Sequence, residues 1–190
     1  MTTLAPTLYN RTFPRISNTV RDITLILLGS WLVALFARIE IPLPFSPVPI
    51  TGQTFAVLLV GALLGSKRGA AAMLAYIVQG AAGLPFFAGG ASGLGILTGA
   101  TAGYLAGFIV AAYVVGLLAE RGMERNFKTS IVPFLVGTII IYAFGVMWLG
   151  ILLGSFSKAL EFGLLPFLIG DLIKIIAAAT ALPAAWKMSQ

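Results

Sequence analysis

The residues from Gly69 to Ala119 read GAAAMLAYIVQGAAGLPFFAGGASGLGILTGATAGYLAGFIVAAYVVGLLA, 51 positions without a single Asp, Glu, Lys or Arg. A helix that crosses a membrane needs about 20 apolar residues, so this stretch is too long for one helix. Its middle, from Gly83 to Gly95, is dense in glycine and contains Pro85, and both residue types break helices. We therefore predict two helices joined by a Gly-rich loop.

The rest of the chain continues this pattern. Of its 190 residues 59% are hydrophobic and only 9% are charged, with a mean hydropathy of +1.01, whereas soluble domains carry about 25% charged residues. The fold class predicted is therefore an all-α membrane protein, a bundle of six transmembrane helices in a single domain over residues 1–190. The predicted helices cover residues 20–38, 51–64, 67–82, 100–120, 131–153 and 165–187.

The distribution of basic residues predicts the orientation of the bundle. With six spans, one side of the membrane collects nine Lys and Arg residues and the other only Arg38 and Lys158. Because cytoplasmic loops carry the excess of positive charge, we expect both termini in the cytoplasm, with residues 1–19 forming a cytoplasmic tail rather than a cleaved signal. The nine are Arg11, Arg15, Arg21, Lys67, Arg68, Arg121, Arg125, Lys128 and Lys187.

The absence of two residue types narrows the possible functions. The chain has no cysteine and no histidine, so it lacks thiolate nucleophiles, zinc sites built on thiolate or imidazole, and Ser-His-Asp triads. We predict no metal site and no cofactor bound by this chain.

The strongest candidate site is the sequence Gly170-Asp-Leu-Ile-Lys174 within the last predicted helix. Ionisable groups inside a span are costly and usually face the protein interior or a watery cavity, and the i, i+3 spacing puts Asp171 and Lys174 on one face. They form either a self-neutralising pair that fixes helix packing, or a binding site. In a binding site, Asp171 accepts N–H donors from a polar ligand while Lys174 donates to its carbonyl or carboxylate.

Other residues have two interpretations each. Gln79 either contacts a ligand or makes an interhelical hydrogen bond. Tyr104 and Phe87 either line a pocket or belong to the ordinary aromatic belt of a membrane protein. Ser30 and Ala34 lie four residues apart on the first helix, a spacing at which small residues allow close helix contact, within the bundle or with a second membrane protein.

Four ordered motifs together resemble one known family. These are Pro47-Val-Pro-Ile-Thr-Gly-Gln-Thr54, Gly83-Leu-Pro-Phe-Phe-Ala-Gly-Gly90, Thr101-Ala-Gly-Tyr-Leu-Ala-Gly-Phe108 and Gly170-Asp-Leu-Ile-Lys174, and in this order they are similar to the BioY family. That family supplies the biotin-specific substrate-binding component of energy-coupling-factor transporters. The chain departs from the family's usual pattern at Gly52, Ala100 and Ala102, which bear on loop geometry.

The resemblance implies a function and a set of site residues. It implies high-affinity biotin binding and uptake across the bacterial cytoplasmic membrane, near the outer face of a six-helix protein. The family's essential Asp and Lys correspond to Asp171 and Lys174. We expect the biotin site to include Asp171, Lys174, Gln79, Tyr104, Phe87, Thr51 and Gln53.

The resemblance also implies partners. In such families the binding component docks on a membrane coupling subunit through small residues of its first helix, a role that would fall on Ser30 and Ala34. Two ATPase subunits hydrolyse ATP, and this chain has no Walker loop of its own. Two other functions stay open from the residues alone: an intramembrane enzyme that uses Asp171 as a base, and a membrane assembly protein in which the ion pair only packs.

Overall fold

The computed structural model describes residues 3–188, and these residues are almost entirely helical. A two-residue antiparallel ribbon pairs β1 (Glu40–Ile41) with β2 (Ile50–Thr51), with Glu40 opposite Thr51. Short 3-10 turns occupy Ala88–Gly90, Leu94–Thr98, Met123–Arg125 and Leu165–Phe167. The α-helices are α1 (Leu4–Thr12), α2 (Asn18–Phe36), α3 (Gln53–Leu64), α4 (Ser66–Ala81), α5 (Ala102–Glu120), α6 (Phe127–Leu153), α7 (Phe156–Gly163) and α8 (Leu168–Met188).

All six predicted segments are helical, but the structure adds two helices that the sequence did not predict. The segment expected to be a tail contains α1, which packs against the bundle with Leu4 and Pro6 buried. The Arg21 side chain of α2 donates to Asn10 Oδ1 at 3.1 Å, and this hydrogen bond links α1 to α2. The second addition, α7, is a short helix whose first turn is capped by the Ser155 hydroxyl. Helix α1 is stabilised by its contacts with the rest of the fold, and its own hydropathy does not predict it.

The helices α2, α3, α4, α5, α6 and α8 run alternately between two ends of the bundle. One end, which we call the charged end, contains α1, the α3–α4 turn and the α5–α6 turn. There Glu120 Oε1 accepts from the Ser66 N–H at 2.8 Å, and Trp186 Nε1 of α8 donates to Glu124 Oε1 at 3.1 Å. Helices α1 and α8, the first and last described, thus both contact the charged end. The other, the pocket end, is formed by residues 37–52, 82–101 and 154–167.

Helix α5 lies at the centre of the core. Ala111, Ala112 and Val115 are fully buried, and small residues let α3 approach α5 closely. A Cβ added to Gly61 would lie 2.7 Å from the Ala112 carbonyl oxygen. The contact between α3 and α5 therefore depends on glycine at position 61.

Four segments are long and apolar enough to cross a membrane: Asn18–Phe36, Ala102–Glu120, Phe127–Leu153 and Phe156–Lys187. The helices α3 and α4 have 12 and 16 residues, which at about 1.5 Å per residue gives lengths of about 18 and 24 Å. A hydrocarbon core is about 30 Å thick. The structure thus shows a membrane-type helical bundle, in which these two helices are shorter than a full span.

The structure contradicts the predicted docking face on α2. Ser30 is fully buried and Ala34 is 7% exposed, because this small-residue stripe packs inward. The Ser30 hydroxyl accepts from Gln79 Nε2 on α4 at 3.1 Å. The outward face of α2 consists instead of large apolar side chains, including Leu28, Trp31 and Leu35. Ser30 and Ala34 are therefore contacts within the bundle.

Candidate functional site

A pocket lies at the pocket end, between the helices α3, α5, α6 and α8 and the segments 37–52 and 82–101. Polar groups gather on the α8 side, and aromatic and aliphatic side chains form the opposite wall. Its lining consists of Val48, Pro49, Thr51, Gln53, Thr54, Phe87, Ala88, Ile96, Thr101, Tyr104, Leu105, Phe108, Tyr142, Phe167, Asp171 and Lys174.

The ion pair of α8 is the polar centre of the pocket. Asp171 lies in the first turn of this helix, where a carboxylate is favoured by the helix dipole, and it is 5% exposed. Lys174 Nζ donates to Asp171 Oδ1 at 2.8 Å, to the Thr51 carbonyl at 2.9 Å and to Thr54 Oγ1 at 2.9 Å. An ammonium group carries three N–H donors, so the protein itself uses all three.

The Asp171 carboxylate keeps room for a further donor. Tyr142 on α6 donates its hydroxyl proton to Asp171 Oδ2, and the Thr54 hydroxyl reaches Oδ1 at 3.4 Å. Because a carboxylate offers about four lone-pair sites, these two groups and Lys174 leave one acceptor position. The cluster is thus arranged to receive an N–H group from a ligand at Asp171.

Two predicted aromatic residues build the apolar wall. Tyr104 is 7% exposed, and its hydroxyl donates to the Gly163 carbonyl at 2.8 Å, so it presents only its ring to the pocket. Phe87 is 2% exposed and packs edge-on against Tyr76, with ring centroids 5.7 Å apart. Its ring occupies the space beside Gly80, where an added Cβ would lie 2.5 Å from Cζ.

A hydrogen-bonded chain joins the pocket to the Gly-rich loop. Gln53 Nε2 donates to the Tyr76 hydroxyl at 2.6 Å, and that hydroxyl donates to the Phe86 carbonyl at 3.2 Å. Gln53 is 7% exposed and Tyr76 is fully buried. The chain fixes the loop segment that carries Phe87 relative to the start of α3.

The structure brings together six of the seven predicted binding residues: Thr51, Gln53, Phe87, Tyr104, Asp171 and Lys174. Gln79 lies elsewhere. Its Nε2 donates to Ser30 Oγ, and its Oε1 accepts from Trp31 Nε1 at 3.1 Å. This is the interhelical hydrogen bond that the sequence left open as the alternative.

Sequence reasoning missed Tyr142 as a site residue. It is one of few side chains with a polar group in the long apolar helix α6, and a hydroxyl in such a setting usually has a buried partner. That signal makes Tyr142 a candidate for a buried polar contact, and the packing of α6 against α8 determines that the partner is Asp171.

The pocket is small and partly enclosed by loops. The space that the centres of water molecules can reach is about 50 Å³. Ser46 Oγ donates to the Phe162 carbonyl at 2.8 Å, which ties the segment of residues 37–52, rich in proline, to the end of α7.

Comparisons with known proteins agree on one family. The BioY family model matches residues 8–190. The biotin transporter BioY of Thermotoga maritima is 41% identical over 155 residues, covering 82% of this chain and 85% of that protein. The biotin transporter BioY of Rhizobium etli is 38% identical over 168 residues, covering 84% and 89%.

A solved structure has the same fold. The crystal structure of an S-component for biotin from an ECF-type ABC transporter matches with a TM-score of 0.75 at 26% sequence identity. The match covers 90% of this chain and 95% of that one.

Proposed function

The chain belongs to the BioY family, and on that premise we propose that it is the biotin-binding S component of an energy-coupling-factor transporter and functions in biotin uptake. The observation that carries the proposal is the Asp171 carboxylate, held by Lys174 and Tyr142 with one acceptor position free, at the polar side of an otherwise apolar pocket. Small-ligand sites characteristically combine apolar walls with a few placed polar groups. The related proteins are transporters, so this chain is a transport component and not an enzyme that uses Asp171 as a base.

The chemistry of biotin suits this arrangement. Biotin has a planar ureido ring with two N–H donors, an apolar thioether ring and a carboxylate tail. We infer that a ureido N–H donates to Asp171 while the thioether ring packs against Phe87 and Tyr104. Because the three Lys174 donors are already used within the protein, Lys174 holds the carboxylate and the Thr51 carbonyl in place rather than binding the tail. The tail then points away from the Asp171 carboxylate.

The proposed transport cycle needs partners. We propose a membrane coupling subunit and two ATPase subunits, with ATP hydrolysed by the latter. The chain is proposed to cross the bacterial cytoplasmic membrane six times, with both termini in the cytoplasm and the pocket end outside. The excess of basic residues at the charged end supports this orientation.

Equilibrium binding of radiolabelled biotin to the purified protein in detergent tests the proposal. We expect saturable binding of one biotin per chain. Asp171→Asn and Tyr142→Phe should weaken it about 10-fold or more, since each removes or weakens a hydrogen bond to a charged group. Tyr113→Phe is the matched control, because Tyr113 lies on α5 and is 44% exposed. No biotin binding by a folded, monodisperse protein would refute the proposed function, and equal binding by all three variants would refute the site.

A further inference from the structure

Residues 82–101, which we call the lid loop, close one side of the pocket. They contribute Phe87, Ala88, Ile96 and Thr101 to its lining. Phe87 is presented by a tight turn in which the Gly90 N–H donates to the Phe87 carbonyl at 2.9 Å, and the Phe87 N–H to the Ala91 carbonyl at 3.0 Å. Any opening of the pocket on this side has to move that turn.

Arg38, which follows α2, reaches across to the lid loop. Its Nη2 donates to the Pro85 carbonyl at 2.7 Å. Its Nη1 fills the space beside Gly90, where an added Cβ would overlap it. Gly90 has a φ of +81°, a conformation that favours glycine. The guanidinium therefore contacts the turn that presents Phe87 at two points, Pro85 and Gly90.

A second residue of the segment 37–52, Glu40, packs against the same turn of the lid loop. Glu40 lies against the other glycine of the turn, with Oε2 2.7 Å from the position of a Cβ on Gly89. Glu40 also pairs with Thr51 in the ribbon, and the Thr51 carbonyl is an acceptor for Lys174. The segment that holds the lid loop is thus anchored on the polar centre of the pocket.

We propose that Arg38 is a positioning residue that latches the lid loop over the pocket and sets the rates at which the ligand enters and leaves. The contacts of Arg38 with the lid loop are present in the pocket as the structure shows it, and they involve no polar group that lines the pocket. Loss of the latch therefore favours opening in the empty and the occupied protein alike. Both the association and the dissociation rate rise, while the dissociation constant changes little. Because a hydrogen bond from a charged group is lost, the expected increase is about tenfold or more.

The opening can be measured without any ligand. The sequence contains no cysteine, so Leu105→Cys places a single thiol on the pocket wall, at a position that is 4% exposed. We expect a small water-soluble maleimide to label this thiol about tenfold faster when Arg38→Ala is added. Lys158→Ala is the matched control, since Lys158 is an exposed cation of the same end. Equal labelling rates in the Arg38→Ala and Arg38 proteins would overturn the latch.

The expected rise in the association and dissociation rates of the ligand rests on the proposed function and is measured with radiolabelled biotin. Arg38→Ala should raise both rates and leave the dissociation constant within about threefold of the original, a shift of at most about 0.7 kcal/mol. Arg38→Lys, which keeps one charged donor, should restore the original rates in part. A weaker affinity with an unchanged association rate would overturn the latch, because it would mean that Arg38 binds the ligand.

Two further results separate the possible failures. If the unsubstituted protein binds no biotin, the proposed function fails, but the labelling assay still decides on the latch. If Arg38→Ala does not fold, Gly90→Ala disrupts the same contact from the side of the lid loop and should give the same faster labelling. Slow labelling of the folded Gly90→Ala protein would then overturn the proposal.

Discussion

At the scale of single residues, Asp171 and Lys174 determine what the pocket can hold. Their side chains are 7% and 21% exposed and form an ion pair of 2.8 Å. A buried carboxylate without a partner is strongly unfavourable, whereas a buried carboxylate paired with a cation is tolerated. The pair thus keeps a negative acceptor in an apolar pocket at little net charge.

Because the buried Asp171 charge depends on Lys174 for compensation, substitutions of the two residues should have non-additive effects on stability. Lys174→Met leaves the Asp171 charge uncompensated and should lower the free energy of unfolding by about 3–5 kcal/mol. Adding Asp171→Asn removes that charge, so the double variant should be more stable than Lys174→Met alone. Thermal unfolding in detergent of the original protein, both single variants and the double variant measures the coupling. Additive losses would contradict the charge argument.

The sequence was sufficient to single out the two charged residues that line the pocket, but not to predict where the side chains of neutral polar residues point. Asp171 and Lys174 stand out because ionisable groups inside a span are expensive. Gln79 is equally rare within its helix, yet its role depends on which face of α4 meets α2, and the two faces are both apolar in composition. Tyr142 lies on a different helix from Asp171, so their contact is fixed only by the packing of α6 against α8.

At the scale of elements, glycine sets the spacing between α3 and α5. Gly61→Val should destabilise the bundle by about 1–3 kcal/mol or more, because the added side chain meets the α5 backbone at Ala112. Gly95→Ala is the matched control, since no atom lies within 4 Å of a Cβ at that position. Melting temperatures of the two variants in the same detergent compare them. A Gly61→Val protein as stable as Gly95→Ala would show that the two helices separate without cost.

Hydropathy predicted the helices of the bundle but not the face that each one buries. In lipid, outward positions are as apolar as inward ones, so periodicity carries little information about burial. Helix α2 illustrates this, since it buries Gly29 and Ser30 and exposes Leu28 and Trp31. The small helix α1 escaped prediction for the opposite reason, because its sequence is locally polar and its position depends on contacts with α2 and α3.

At the scale of the whole molecule, the charged end contains a buried carboxylate that makes stability depend on pH. The Glu124 side chain is 1% exposed, and burial raises its pKa above the ordinary value of 4.5, although Arg125 and the Trp186 N–H lower it in part. The folded chain therefore binds this proton more tightly than the unfolded chain. The stabilisation is complete below about pH 4.5 and is lost as the pH rises through the raised pKa.

Replacement of Glu124 tests this sign. We expect Glu124→Gln, which cannot ionise, to remove the part of the fall in melting temperature above pH 4.5 that this carboxyl causes. Glu161→Gln, at an exposed position of α7, should keep the full pH dependence of the original protein. Identical pH profiles for the original and the Glu124→Gln proteins would show that ionisation of Glu124 does not contribute.

The orientation of the bundle connects its charge asymmetry with capture of a ligand from outside. Basic loops stay in the cytoplasm, so the charged end should face inward and the pocket end outward. Single cysteines report this directly because the sequence contains no other thiol. In intact cells, a membrane-impermeant maleimide should label Glu161→Cys at the pocket end but reach Lys128→Cys at the charged end only after permeabilisation. The reverse pattern would put the pocket inside, where it could not collect an external vitamin.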